Sequence, residues 1–308
     1  MNRQDAIDAA AAAGYKNFEA YRRLQYKKVF EKLEDAANRL SDTIMKAERA
    51  GKIPTAREAA LLKAVKSEMA VLRKDLRTTI SRGVNNSVDI GIKTGIKSAE
   101  AAGIQKRFKV HVGTSFTSKS GSIIRYNAGV ETFADSAWAR MAKRAKDKVL
   151  AWNPGGQSFS DRVWNVSYEA RKALLQRVKT GITDGESAAK IARNIKGYLL
   201  DDKRRYGKEL RDFKPGRGVY RSPTKNAMRI ARTETSRAFH EGTIEYQRTR
   251  SWSDGFVWHI SPINCCDECT PLDGQVFSEG ELPEIPVHPQ CMCWLTLHVD
   301  PAVEARFA

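Results

Sequence analysis

The sequence predicts a mainly α-helical protein ending in a small α+β module. Three observations carry that expectation: a long apolar repeat at helical spacing through the first hundred residues, its return in the middle of the chain, and the confinement of all five cysteines to positions beyond residue 264. From Tyr15 to Ala50, Phe18, Tyr21, Leu24, Val29, Phe30, Leu33, Ala36, Leu40 and Ile44 recur at steps of three and four, with Lys, Arg and Glu between them. Gly51 stops this helix and Pro54-Thr55 starts another, in which Ala59, Leu62, Ala64, Met69, Leu72, Leu76 and Ile80 keep the period toward Ala102. Two long antiparallel helices joined by a short loop follow. The heptad fit is imperfect, so they are expected to pack into a bundle rather than form a free coiled coil.

Residues 107 to 130 change character. Phe108, Val110 and Val112 alternate, a Ser/Gly/Lys tip follows, and Ile123, Ile124 and Tyr126 close what reads as a hairpin or long arm. Helical spacing returns over 133 to 150, breaks at Asn153-Pro154-Gly155-Gly156, and resumes from Asp161 to Lys179, from Glu186 to Leu200, and from Pro223 to Arg250. Between the last two lies a basic linker rich in Gly and Pro, Lys203 to Lys225. A short strand at Phe256, Val257, Trp258 and Ile260 leads into the cysteines, and another at Trp294 to Leu297 leads out. The expected organisation is a helical arm or bundle (1–105), a hairpin or arm insertion (106–132), a basic helical domain (133–250) and a zinc-binding module with short strands (251–308). The tryptophans Trp138, Trp152, Trp164 and Trp294 are expected as core anchors.

Composition narrows the function classes. The chain has 308 residues, of which 41% are hydrophobic and 29% charged. No stretch approaches the roughly 18 consecutive apolar residues of a membrane span, so no membrane partner is expected. The N-terminal run carries acids within its alanines and has no apolar core with a cleavage site, so it does not read as a secretory signal. The net charge of +17 is uneven: +10 over residues 1–138, +15 over 139–250 and −8 over 251–308. A body of this sign attracts polyanions, because Lys and Arg that neutralise phosphates release condensed counterions. Lys203, Arg204, Arg205, Lys208, Arg211, Lys214, Arg217, Arg221 and Lys225 are the expected phosphate contacts, with a solvated loop as the alternative.

The strongest chemical signal is Cys266-Asp-Glu-Cys269, then 18 residues, then His288-Pro-Gln-Cys291-Met-Cys293. A C-x-x-C turn aims two thiolates at one point, and a second pair about twenty residues on completes a tetrahedron, as in structural zinc sites. Five candidates compete for four places. Cys266 and Cys269 are the firmest, His288 with Cys291 is the preferred second pair, and Cys293 is the substitute. Cys265 reads as a bystander. Free buried thiols or a disulfide are the alternatives, the latter normally accompanied by a secretion signal. Catalytic zinc is disfavoured: the deaminase order of ligands is reversed here, His240 and Glu241 are adjacent rather than spaced, and a treble-clef nuclease built on Trp258-His259 lacks its later Asn and second His. Glu234 has no second carboxylate or nucleophile placed to cooperate with it, so Arg232 and Glu234 read as structural groups tying their helix to the metal module.

These residues carry a resemblance. Arg229-Ile-Ala-Arg-Thr-Glu-Thr235 followed by Ala238 and Gly242, then Trp258, Cys266-x-x-Cys269, Leu272-Asp-Gly274 and His288-Pro-x-Cys291-x-Cys293, resembles the Mu F-like minor head proteins of tailed bacteriophages over roughly residues 160 to 300. Gly185-Glu-Ser187, ahead of Ala188 to Ile195, also looks like the region that precedes the Arg-Thr-Glu element in that family. Met292 departs from it, since a basic residue is common between the last two cysteines. The resemblance implies a non-enzymatic minor capsid protein acting in head assembly and DNA packaging or delivery near the portal. The implied partners are the portal protein and double-stranded DNA bound without sequence preference, with a major capsid or scaffolding protein as further candidates. The implied location is the virion, inside the head, after a period in the host cytoplasm. Some relatives carry a further C-terminal toxin or enzyme domain; with fifteen residues after Cys293, none is expected here. The alternative is a zinc-dependent nuclease acting on phage or host DNA.

Overall fold

Two long helices, α1 (Arg3–Met45) and α2 (Glu58–Ala101), open the computed structural model, which describes residues 2–104, 116–117, 123–124, 135–206, 208–214, 220, 222–261, 266–289 and 291–305. They are followed by the short strands β1 (Phe116–Thr117) and β2 (Ile123–Ile124), and by helices α3 (Asp135–Ala151), α4 (Phe159–Thr183), α5 (Ala188–Leu199), α6 (Lys208–Asp212) and α7 (Pro223–Gln247). Strands β3 (Ser253–His259), β4 (Val276–Phe277) and β5 (Trp294–Val299) and a last turn of helix, α8 (Pro301–Glu304), complete the chain. The protein is thus mainly helical with a small C-terminal sheet, as its periodicity indicates. Of the expected 106–132 arm, only the antiparallel pairs Phe116↔Ile124 and Thr117↔Ile123 fall within the described residues. Among the described residues, no helix is long and apolar enough to cross a membrane.

The chain divides into two compact units, each assembled from separated segments: residues 1–21, 84–149 and 235–308 in one, and residues 22–83 and 150–234 in the other. In the second unit, Val29, Leu33, Leu40 and Ile44 of α1 and Leu61, Val65, Met69, Leu72 and Leu76 of α2 form one core with the apolar faces of α4 and α5. Arg39 of α1 pairs with Glu68 of α2 across these helices, with Nη2 2.6 Å from Oε1.

Helix α4 starts at a capping box, Ser158 with Asp161, in which each side chain bonds the other's backbone N–H. It ends where Gly185 adopts φ +65°, a conformation that costs glycine least, and the Glu186 N–H reaches back to the Gly181 carbonyl. Ser187 then caps α5 by accepting from the Lys190 N–H. Beneath this turn the buried Arg177 guanidinium donates to Glu186 and to Asn194 Oδ1, and Asn194 in turn donates to the Arg205 carbonyl at 2.6 Å. A buried charge needs such partners to be tolerated.

In the first unit the three strands form an antiparallel sheet in the order β4-β3-β5, with Phe256↔Phe277, Phe256↔Leu297 and Trp258↔Leu295 in register. Phe256, Trp258, Leu295 and Leu297 are buried among Val84, Val88 and Ile92 of α2, Met141 and Val149 of α3, and Ala238 of α7. Strand β5 is an edge, and α1 covers part of it: Gln4 donates to the Leu297 carbonyl at 3.0 Å and accepts from the Val299 N–H at 3.1 Å. An amide side chain thus occupies backbone groups that would otherwise invite another strand. Tyr15 donates to the Met292 carbonyl at 2.7 Å and stacks on Trp294.

The buried tryptophans are Trp252 and Trp258. Trp164, expected in the core, is instead 39% exposed, because Val163 and Val166 take the inward face of α4.

Candidate metal centre and basic surface

Two loops of the small sheet supply the ligand candidates. The β3-to-β4 connection carries Cys266 and Cys269 in a tight turn in which the Cys266 carbonyl accepts from the N–H groups of Cys269 and Thr270, both at 3.0 Å. The β4-to-β5 connection carries His288, Cys291 and Cys293, and its own turn is closed by the Cys291 N–H on the His288 carbonyl. These side chains converge. Cys266, Cys269 and His288 form one group able to hold a metal ion, and Cys269, Cys291 and Cys293 form a second, each with its ligand atoms within 4.8 Å of one another. Cys269 belongs to both. Cys265 lies outside the described residues.

Around Cys269, which joins the two groups, the distances match edges of a tetrahedral ion. Metal–sulfur bonds of about 2.3 Å and a metal–nitrogen bond of about 2.0 Å require edges of about 3.8 Å between sulfurs and about 3.5 Å from sulfur to nitrogen. Cys269 Sγ stands 3.8 Å from Cys291 Sγ and 3.6 Å from His288 Nε2. Cys266 Sγ is nearer, 3.0 Å from His288 Nε2, a hydrogen-bonding distance that opens by about half an ångström around an ion. The backbone orients the His288 ring for coordination. Its Nδ1 lies 3.1 Å from the Pro289 carbonyl, a partner that takes the Nδ1–H and leaves the Nε2 lone pair aimed at the thiols.

The clustered thiols shift one another's ionisation in opposite directions. Burial resists ionisation of Cys269 and, with the bond to Cys266, pushes its pKa up to about 12. Cys291 is brought down to about 5, first by its bond from Cys293 and against the cost of burial. Cys293 is pushed up by that same bond to Cys291 and by burial. At Cys266 burial also opposes the thiolate, but bonds from Cys269 and His288 outweigh it and hold the thiol below its ordinary value. Thiols this close cannot all ionise beside one another, and a bound dication removes the repulsion.

Three other residues weighed from the sequence make contacts of their own. Glu234, with 1% of its side chain exposed, accepts from Arg162 of α4 at 2.5 Å, and Arg232 donates to the Tyr26 hydroxyl of α1. Sequence reasoning expected these two to reach the metal module; the contacts described for them join α7 to α4 and α1. His259 shares a 3.0 Å hydrogen bond with Thr296 Oγ1 and stacks on Trp294 at 4.3 Å, and burial lowers its pKa.

The basic segment is ordered where it is described. Lys203–Arg205 form a 3₁₀ turn and Lys208–Asp212 a short helix, fastened by the buried Tyr206 and Leu210. Lys203, Arg204, Arg205, Lys208, Arg211, Lys214 and Lys225 are all exposed, whereas Arg217 and Arg221 lie outside the described residues. Asp202 holds Arg204 and Arg205 at 3.3 and 3.0 Å, and Asp201 stands 3.7 Å from Lys225. Behind this segment Asn194 holds the Arg205 carbonyl and Arg177 holds Asn194; neither carries a motif, and only their place on the buried face of a helical repeat could have marked them.

Compared with family models, with curated proteins and with solved structures, the chain matches none.

Proposed function

We infer that this protein is a non-enzymatic minor head protein of a tailed bacteriophage, acting in head assembly and in DNA packaging or delivery near the portal. One observation carries the reading: the four cysteines and the histidine whose order and spacing resemble the Mu F-like proteins converge within one small sheet module. Zinc is the proposed ion, since it favours mixed thiolate and imidazole ligands in a closed tetrahedron. When bound it supplies a structural cross-link. The protein's own residues do the rest: the two turns present the donors, Pro289 fixes the His288 tautomer, and Gln4 and Tyr15 brace β5, into which Cys293 leads.

The exposed lysines and arginines between Lys203 and Lys225 support contact with duplex DNA that is independent of sequence. The proposed partners are the portal protein and packaged DNA, with a capsid or scaffolding protein as a further neighbour, and the proposed location is the interior of the head. The nuclease alternative has less support. Glu234 is committed to Arg162, and His259 to Thr296 and Trp294.

The reading is tested by copurification with a portal ring and by duplex binding measured against salt. Binding should fall steeply between about 50 and 200 mM salt, with little dependence on base sequence. A complex that survives high salt and depends on sequence, or divalent-dependent cleavage abolished by His259→Ala in a folded protein, would contradict it.

A further inference from the structure

Trp164 and Tyr168 lie one turn apart on α4 and stack nearly parallel, with ring centroids 4.3 Å apart and planes 16° from each other. Trp164 keeps 39% of its surface in solvent. Beside the pair, within the second unit, α2 and α4 form an open cleft of about 140 Å³ whose lining includes Lys66, Met69 and Arg73 from α2 and Arg171 from α4. No acidic side chain lines it. Among the described residues, none of Lys66, Arg73 and Arg171 makes an ion pair, whereas the neighbouring Lys172 is taken by Glu169. Arg171 and Lys172 also place charge over the Tyr168 ring, 5.1 and 5.3 Å from its centroid.

An exposed aromatic plate rimmed by cations that make no described ion pair suits one kind of ligand better than others. A nucleobase stacks on the open face of an indole, and the phosphates either side of it meet Lys and Arg. A duplex offers only phosphates and groove edges here, because its base faces are already stacked, so the plate would be idle. An acidic peptide would satisfy the cations but bring no flat π-surface to the tryptophan.

We propose that Trp164 and Tyr168, with Lys66, Arg73 and Arg171, form a binding site for single-stranded nucleic acid, one base lying against Trp164 and the flanking phosphates on the three cations. This goes beyond the duplex contact assigned to the Lys203 to Lys225 segment and does not rest on it.

The test is fluorescence anisotropy of the full-length protein with a labelled oligothymidylate of about 15 nucleotides, beside a duplex of equal length and a polyglutamate competitor. Trp164→Ala should weaken oligothymidylate binding about tenfold, the scale of one lost base–aromatic stack, and change duplex binding less than about twofold. Trp164→Phe should keep most of the affinity. The double variant Lys66→Gln/Arg73→Gln should reduce the salt slope by about 1.4, the share of two single-strand phosphates. Unchanged binding by Trp164→Ala, equal losses for single strand and duplex, or displacement by polyglutamate as effective as by unlabelled oligothymidylate would each overturn the proposal. Thermal midpoints report whether Trp164→Ala is folded; if it is not, Trp164→Phe and the double variant decide.

Discussion

Cys269 Sγ lies 3.8 Å from Cys291 Sγ and 3.6 Å from His288 Nε2, so one thiol is shared by both ligand groups. The five donors are therefore unequal. Cys269→Ser should lower metal affinity by orders of magnitude. Cys293→Ser should lower it far less, because Cys266, Cys269, His288 and Cys291 still make four donors. Competition against a chromophoric chelator ranks the variants, and equal losses would show that Cys293 is as central as Cys269.

The Arg162–Glu234 pair predicts a stability effect. Both side chains are largely buried, with 13% and 1% exposed. Removing the carboxylate strands a guanidinium, and losing one partner of a buried pair typically costs about 3–5 kcal/mol. Glu234→Ala is expected in that range by urea denaturation, with Glu234→Gln milder. A loss under about 1 kcal/mol would mean the pair is not what holds α7 to α4.

Gly91 and Gly242 mark where α2 and α7 approach backbone to backbone. A Cβ on Gly91 would stand 2.0 Å from the Phe239 carbonyl oxygen, and one on Gly242 would stand 2.3 Å from that of Val88. Neither obstacle is a side chain that can swing away. Gly242→Ala and Gly91→Ala should each cost about 2–3 kcal/mol by overpacking, against under about 0.5 kcal/mol for Gly280→Ala, where a Cβ meets nothing. Denaturant midpoints measure the contrast.

The burial of Glu241 predicts a pH dependence of stability. Burial raises its pKa above the ordinary carboxylate value, with Lys148, Arg237 and Arg248 pulling the other way; Lys148 Nζ is the nearest of the ion-pairing cations described, at 3.8 Å. Below the unfolded pKa of about 4.3 both states hold the proton and there is no penalty. As pH rises from there through the folded pKa, the unfolded state releases its proton first and the folded state loses ground. Glu241→Gln removes that penalty. The variant should therefore match the wild type near pH 4 and be more stable at pH 7 by thermal melting. A variant less stable at pH 7 would mean that the ion pair with Lys148 outweighs the cost of burial.

The helices were legible because burial on one side writes a period into the sequence, and the breaks between them because Gly51, Pro54 and the Asn153 to Gly156 turn interrupt it. Their ends were less so, since α1 runs from Arg3 to Met45 where the period pointed to Tyr15 to Ala50, and α5 starts at Ala188 behind its Ser187 cap where Glu186 was expected. The Cys/His cluster was legible because a site able to hold a tetrahedral ion needs fixed spacing within each turn. Other features leave no such trace. The clasp of Gln4 on β5 joins positions 293 residues apart through one amide. Gly242 could be seen in a motif, but its contact with Val88 could not, since periodicity does not say which helix a face meets. Trp164 was misplaced because large apolar residues usually turn inward, and only the neighbouring valines show which side of α4 is buried. The interleaving of the two units along the chain is likewise invisible to local pattern, because α1, α2 and α7 each contribute residues to both.

A metal ion, proposed to be zinc, would cross-link the β3-to-β4 and β4-to-β5 connections. Elemental analysis of purified protein by plasma mass spectrometry, followed by limited proteolysis with and without a chelator, decides whether it does. About one zinc per chain is expected, lost on chelation together with the resistance of the Cys266 to Cys293 region to proteolysis. A freshly reduced, folded protein that carries no metal, and whose C-terminal region resists protease equally with and without chelator, would contradict the cross-link.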